Sequence, residues 1–299
     1  MTVQMDDFAE KVAVVTGGAS GIGKALAQAL AKQGSRVVIA DVEAAVLELA
    51  QKEISAACDI DVHAVVTDVS NVESVQSLAD EVFDEFGEVN ILVNNAGVGA
   101  PSAKVWETTP NDWRWIFNVN LYGVVYGILC FVPRMLESGK PGYVINTSSG
   151  DGAVTPMPAA SVYASSKAAV TTVTECLAAQ LRDEGAPIGV SLFLPGGKGL
   201  LDTGLWTADR NRPDELARER PRTTAPMTVA QLRESAAKAG KEIPIQPLDE
   251  LAESVLEGMR KGVYCIDFRL ESSADTLRER ADRFGRGEIP LGVSHSLMG

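Results

Sequence analysis

At 299 residues, 45% of them hydrophobic, the chain has ample apolar material for a large α/β unit. Its 40 acidic against 27 basic residues leave a net charge of −13, which argues against nucleic acid or an anionic membrane as the main partner. Four scattered cysteines suggest neither a disulfide framework nor a metal site, the acidic residues 1–11 make no signal peptide, and the apolar run 123–132 is too short to span a bilayer before Pro133, so a cytoplasmic protein with buried, reduced thiols is expected.

Residues 12–15 read as a short buried strand that ends in Thr16-Gly17-Gly18-Ala19-Ser20-Gly21-Ile22-Gly23. An Ala/Leu-rich helix over 25–33 follows, with Gly34 as its stop. Strand, glycine turn and helix in this order aim backbone N–H groups and a helix N-terminus at a phosphate. Gly17 and Gly21 let the main chain approach a pyrophosphate, and Gly23 lets the helix pack closely on the sheet. A tight turn without a ligand is the plain alternative. A second strand, 36–40, ends at Asp41, 24 positions after Gly17. A carboxylate there accepts hydrogen bonds from an adenosine ribose diol and repels a 2′-phosphate, so NAD rather than NADP is implied. Neither Ser20 nor Val42 is an arginine that would receive such a phosphate. Asp41 would also serve as a helix N-cap.

The third strand, 63–67, leads to Asp68-Val69, and Ser70-Asn71-Val72-Glu73 has the form of a capping box for a helix running to about residue 86 and stopped by Gly87. His63 has no evident partner and is read as structural. The fourth strand, 91–93, runs into Asn94-Asn95-Ala96-Gly97, amides placed to satisfy backbone groups and line a crevice where the strand order reverses. Thr109-Pro110 opens a helix that carries Asn118 and Asn120 into the apolar stretch 121–132. The fifth strand, 143–147, precedes Ser148-Ser149.

Tyr163 and Lys167 are four residues apart in helix-forming sequence, so they share a face one turn apart. A free Tyr titrates at about 10. A nearby ammonium favours the phenolate and lowers that value, turning the phenol into an acid/base. Alone, such a pair reads more simply as a solvated helix face. Residues 170–181 continue the helix, and 188–194 form a sixth strand before Pro195-Gly196.

In this order and spacing, Thr16-Gly17-x-x-x-Gly21-Ile22-Gly23, Asp68-Val69, Asn94-Asn95-Ala96-Gly97, Asn120, Ser148-Ser149, Tyr163-x-x-x-Lys167 and Pro195-Gly196 resemble the short-chain dehydrogenase/reductase family. The resemblance implies a single Rossmann-type domain, doubly wound, with a parallel seven-stranded sheet and helices on both faces. It implies NAD held by Gly17, Ser20, Gly21, Ile22, Gly23, Asp41, Asp68, Val69, Asn95, Ala96, Gly97, Pro195, Gly196 and, after a short insertion, Thr203. Tyr163 would be the acid/base and Lys167 would hold the nicotinamide ribose. Asn120 would anchor a water in a proton relay, and Ser149, or its neighbour Ser148, would bind the substrate oxygen. The family usually assembles as homodimers or homotetramers. The same site chemistry would also serve an epimerase or dehydratase, and the scaffold alone would serve a nucleotide sensor.

Residues 204–247 form a charged, proline-bearing insertion with two helical-looking pieces, of the length expected of a lid or substrate loop. Residues 251–259 read as an amphipathic helix and 263–266 as a seventh strand. Residues 268–299 form a helical tail whose charges alternate over 275–286, and His295 in it is unassigned. Residues 131–135, 140–142, the insertion and the tail are similar to the aryl-ether Cα-dehydrogenases of benzylic secondary alcohols. Val98, Val154, Met157 and Trp206, with Leu205, would then shape an apolar substrate pocket.

Overall fold

Apolar residues run unbroken along the strands instead of alternating with polar ones, the mark of a sheet covered on both faces. In the computed structural model, which describes residues 3–100, 102–220, 227–238 and 240–291, this is how they sit. Among the described residues, β1 (Val12–Thr16), β2 (Arg36–Asp41), β3 (His63–Val66), β4 (Ile91–Asn94), β5 (Gly142–Thr147), β6 (Ile188–Leu194) and β7 (Cys265–Asp267) form one parallel sheet in the order β3-β2-β1-β4-β5-β6-β7. Successive side chains point to opposite faces. Ala13 and Val15 of β1 and Ile145 of β5 therefore join one core, while Val12, Val14 and Val144 join the other.

On the first face pack α1 (Gly21–Lys32), α2 (Ala44–Cys58) and α9 (Leu248–Lys261), through Leu26, Leu30, Leu47, Val255 and Met259. On the second lie α3 (Val72–Phe86), α5 (Gly123–Ser138) and α7 (Ser161–Asp183), through Leu78, Val82, Phe131, Met135 and Leu177. The expected α/β architecture with helices on both faces is thus the one observed. The order reverses between β1 and β4, and the carboxyl ends of these strands part to leave a crevice.

Several local expectations are corrected. Helix α3 is capped by Asn71, whose Oδ1 accepts from Ser74 N at 2.9 Å, because Ser70 is engaged by Asp68 Oδ1 through both its N–H and its hydroxyl. His63 does have a partner, Glu81 Oε1 at 2.7 Å. Strand β7 starts two residues late, because Gly262 ends α9 in the left-handed region and Val263 N still donates to Gly258 O. Helix α2 has no counterpart in the expectations above; its N-cap, Glu43, makes no capping hydrogen bond, and Asp59 rather than a glycine ends it.

The apolar run before Pro133 is also longer than its sequence suggests. Helix α4 (Pro110–Phe117), a widened π turn at Asn118–Tyr122 and α5 form a continuous helical path through Pro133. It is 29 residues long and contains an 18-residue window of mean hydropathy 1.7, long and apolar enough to cross a membrane, yet half of that window is buried within this fold, as in a core helix. The cysteines are free, but only Cys130 is buried, and Cys176 is exposed.

Past β6, residues 204–220 hold two 3₁₀ segments, Gly204–Asn211 and Asp214–Leu216. The insertion closes at its base through Leu200 N to Pro244 O and Gln246 N to Leu200 O, both 2.9 Å. It also carries α8 (Val229–Lys238), and the tail contains α10 (Leu270–Gly285). The short α6 (Gly150–Ala153) follows β5. His295 lies outside the described residues.

Candidate active site

The crevice at the strand carboxyl ends is a cleft of ~620 Å³ that runs from the glycine turn to Tyr163. At one end, Gly17 (φ +65°) and Gly21 (φ +55°) take left-handed backbone conformations open to glycine. A Cβ on Gly17 would stand 2.9 Å from Ala96 Cα, and one on Gly23 2.1 Å from Gly17 O. The turn is clamped to β4: Thr16 Oγ1 accepts from the N–H groups of Asn95 (3.0 Å) and Ala96 (3.2 Å), and Asn95 Nδ2 donates to Thr16 O at 3.1 Å. Asn94 turns away from the cleft and donates to Asn146 Oδ1.

Asp41 ends β2 at the edge of this turn. Its carboxylate accepts from Ala19 N (3.2 Å) and Glu43 N (3.1 Å), so it tethers the turn and is not the cap of α2. Burial pushes its pKa up, and those backbone N–H groups oppose the rise. Ser20, Ile22, Asp68, Val69, Gly97, Pro195, Gly196 and Thr203 also line the cleft, whereas Gly23 packs beneath it. Thr203 lies over Gly21, within 3.1 Å of where a Cβ there would be.

At the other end α7 brings Tyr163 and Lys167 to the wall. Lys167 is 3% exposed; its Nζ donates to Thr147 O at 2.9 Å and sits 5.9 Å from the Tyr163 ring centre. The two serines divide cleanly. Ser148 Oγ is bound to Lys167 O and Thr171 Oγ1, holding β5 to α7, while Ser149 caps α6 and leaves its hydroxyl beside the Tyr163 phenol.

The electrostatics correct one expectation. Burial pushes the Tyr163 phenol up to about 12; the neighbouring Ser149 hydroxyl opposes this and the Asp151 carboxylate adds to it. Lys167 does not bring it down, because burial pushes the ammonium itself down to about 8. A buried phenol and a buried ammonium each resist ionisation when no further charge lies between them.

Asn120 is fully buried and braces the wall: Oδ1 accepts from Val98 N at 2.8 Å, and Nδ2 donates to Val98 O (3.0 Å) and Ser166 Oγ (3.1 Å). Gly97 leaves open the space between Asn120 Oδ1 and Lys167 Nζ, which a side chain would fill.

Of the substrate positions, Val98, Leu205 and Trp206 line the cleft, and Trp206 Nε1 is fixed by Leu201 O at 2.8 Å. Val154 and Met157 do not. The turn of α6 sends Val154 inward against Leu192 and Leu194 of β6, and Met157 stands exposed in the turn before α7. Trp115, Leu216 and Ala208 supply apolar lining in their place. The insertion is fastened onto α4 by Arg212, whose Nη1 meets the buried Asp112 Oδ1 at 2.8 Å. Burial opposes the Asp112 charge, but Arg212, Thr109 and Arg218 together hold its pKa below the usual range.

Asp151 and Arg269 line the cleft without having been expected there. Asp151 was findable, since it stands two residues after Ser149. Arg269 carries no local signal; only the position of β7 at the sheet edge brings it beside Gly197.

The family model for short chain dehydrogenases matches residues 11–212. 1-Deoxy-11-beta-hydroxypentalenate dehydrogenase of Streptomyces avermitilis is 40% identical over 185 residues, covering 62% of this chain and 67% of that protein. C alpha-dehydrogenase of Sphingobium sp. is 37% identical over 210 residues, covering 70% of this chain and 66% of that protein. The chain thus matches about two thirds of the length of these relatives. Among solved structures, a short chain dehydrogenase/reductase from Burkholderia phymatum in complex with NAD aligns with a TM-score of 0.84 at 35% identity, covering 97% of this chain and 99% of that one. Agreement of this extent, on a sheet of this order, makes the protein a member of the short chain dehydrogenase family and, as such, an oxidoreductase.

Proposed function

We propose that the protein interconverts a hydrophobic secondary alcohol and its ketone with NAD, using Tyr163 as the acid/base. The observation that carries this reading is the convergence of the Ser149 and Tyr163 hydroxyls and Lys167 on one wall of a cleft that begins at the glycine turn. The turn fits a dinucleotide: its glycines leave a cradle that side chains would fill, and Asp41 stands where an adenosine ribose would lie. When bound, NAD supplies the hydride acceptor or donor.

The chain's own residues do the rest. Gly17, Ser20, Gly21 and Ile22 would hold the pyrophosphate, and Asp41 the ribose diol. Lys167 has two ammonium hydrogens beyond the one given to Thr147 O, and these would hold the nicotinamide ribose hydroxyls. Ser149 and Tyr163 would grip the substrate oxygen, fixing its carbon for transfer. In oxidation Tyr163 takes the alcohol proton, and in reduction it returns it to the ketone oxygen. Asn120 keeps the Val98 loop and α7 in register. Val98, Trp115, Leu205 and Trp206 favour a bulky apolar substrate. The same reading includes a homodimer or homotetramer, supported by the exposed Leu129 and Tyr122 along the α5 path; light scattering on the purified protein tests it.

An absorbance screen at the NADH band over aromatic, terpenoid, steroid and aliphatic secondary alcohols tests the reading. Turnover of the bulky apolar members is expected, and activity confined to small polyols would refute the substrate class. Two variants sharpen it. Asp41→Ala is expected to narrow the preference for NAD over NADP by about tenfold, equivalent to about 1.4 kcal/mol; a wild-type preference for NADP would contradict the cofactor assignment. Asp151→Asn removes a charge that opposes phenolate formation, so the alkaline rise of the oxidation rate should move to lower pH. A rise that stays put or moves upward would take Asp151 out of this account.

A further inference from the structure

The adenosine end of the cleft holds a second carboxylate. Glu43 lies two residues beyond Asp41, and its N–H donates to Asp41 Oδ1 at 3.1 Å. Its carboxylate is met by side chains from far along the chain: Arg210 donates from Nε (3.1 Å) and Nη2 (2.5 Å), and Asn211 Nδ2 at 2.8 Å. Both partners come from the 3₁₀ segment Gly204–Asn211, which lies along the cleft just after Thr203 has covered Gly21.

Arg210 is also held by its own segment. Its Nη1 donates to Gly204 O and Thr207 O, both at 3.0 Å, and to Thr207 Oγ1 at 3.1 Å. The guanidinium therefore has a fixed side, and a second side that Glu43 occupies. Among the described residues lining the cleft, the cations are Lys167, Arg210 and Arg269. Lys167 belongs to the Tyr163 wall and Arg269 stands beside Gly197, which leaves Arg210 as the cation at the Asp41 end.

A guanidinium with a free two-nitrogen edge is a bidentate phosphate receptor. Here that edge is filled. We propose that Glu43 is a specificity-determining residue: by occupying the Nε/Nη2 edge of Arg210 it denies that edge to a 2′-phosphate, reinforcing the discrimination at Asp41. The proposal rests on the NAD reading above. A dinucleotide carrying the phosphate would meet two carboxylates and a cation already in use. With Glu43 replaced by the isosteric amide, Nη1 still anchors Arg210, and its charge is no longer neutralised.

The test titrates NADPH and NADH by fluorescence into wild type, Glu43→Gln, Asp41→Ala and the double variant Glu43→Gln/Arg210→Met. In Glu43→Gln the NADPH-to-NADH affinity ratio should rise about tenfold. The gain should shrink as salt is raised and vanish when Arg210 is also replaced. A ratio is read throughout, so a general loosening of the segment moves both affinities together and leaves it unchanged. An unmoved ratio in Glu43→Gln, or a gain that survives the loss of Arg210, overturns the proposal. If Asp41→Ala shifts the ratio and Glu43→Gln does not, only the role of Glu43 falls. Tighter binding of NADPH than NADH by wild type would sink the cofactor reading and this proposal together.

Discussion

Replacing Tyr163 by phenylalanine is expected to lower kcat/KM for alcohol oxidation by about 10³-fold, within the range that a positioned acid/base contributes, while NADH still binds. The phenylalanine keeps the ring beside Lys167 and loses the oxygen that faces Ser149. Nothing at the glycine turn or Asp41 depends on that oxygen, so dinucleotide affinity should stay within a fewfold of wild type. The pH dependence follows from the direction of the phenol's shift. Without cofactor its pKa is pushed up to about 12, mainly by burial. Oxidation needs the phenolate, so the wild-type rate should climb from neutral into alkaline pH, helped once an oxidised nicotinamide adds positive charge to the cleft. Reduction needs the phenol, which is the prevalent form throughout the neutral range, so its rate should be flat there. Tyr163→Phe activity within tenfold of wild type would end the assignment of this residue.

What the sequence made legible, and what it did not, divides along the range of the interactions. Residues 12–15, the glycines and residues 36–41 form one strand–turn–helix–strand unit of consecutive elements, and it reads directly from spacing and periodicity. Tyr163 and Lys167 are set by one helical turn in the same way. The choice between Ser148 and Ser149 is not local: it depends on which hydroxyl α7 covers, and α7 enters 12 residues later. Val154 and Met157 fell outside the cleft because the four-residue α6 reverses the chain after Ser149, and so short a helix has almost no periodic signal. Arg210 meets Glu43 across 167 residues, a juxtaposition that no sequence window contains. The reversed expectation for the phenol has another origin. Helical spacing gives proximity to an ammonium, but desolvation is set by the whole fold, and here it outweighs proximity.

Desolvation also makes Lys167 a place where activity and stability should part. The ammonium is buried and, among the described residues, makes one hydrogen bond, to Thr147 O, with no carboxylate paired to it; burial brings its pKa from 10.5 down to about 8. The interval corresponds to about 3 kcal/mol by the usual conversion, an order-of-magnitude figure. Its sign is set by linkage: between about 8 and 10.5 the unfolded chain holds this proton and the folded chain does not, so stability rises with pH across that window. Below about 8 both states hold it, and the folded protein carries the full cost. Lys167→Met removes the charge at similar volume but strands the Thr147 carbonyl, a loss of about 1 kcal/mol. The variant should therefore be more stable at pH 7 by about 1–2 kcal/mol, and that gain should shrink as pH rises above about 8. Turnover should move the other way. With the nicotinamide ribose unheld, kcat/KM should fall by about 10²-fold or more, with a higher KM for NAD. Urea unfolding at pH 7 and pH 9.5, beside steady-state kinetics, decides it. A Lys167→Met protein that is both less stable and less active at pH 7 would show that this lysine chiefly holds the fold together, and not that it is a charge kept at a thermodynamic cost for the reaction.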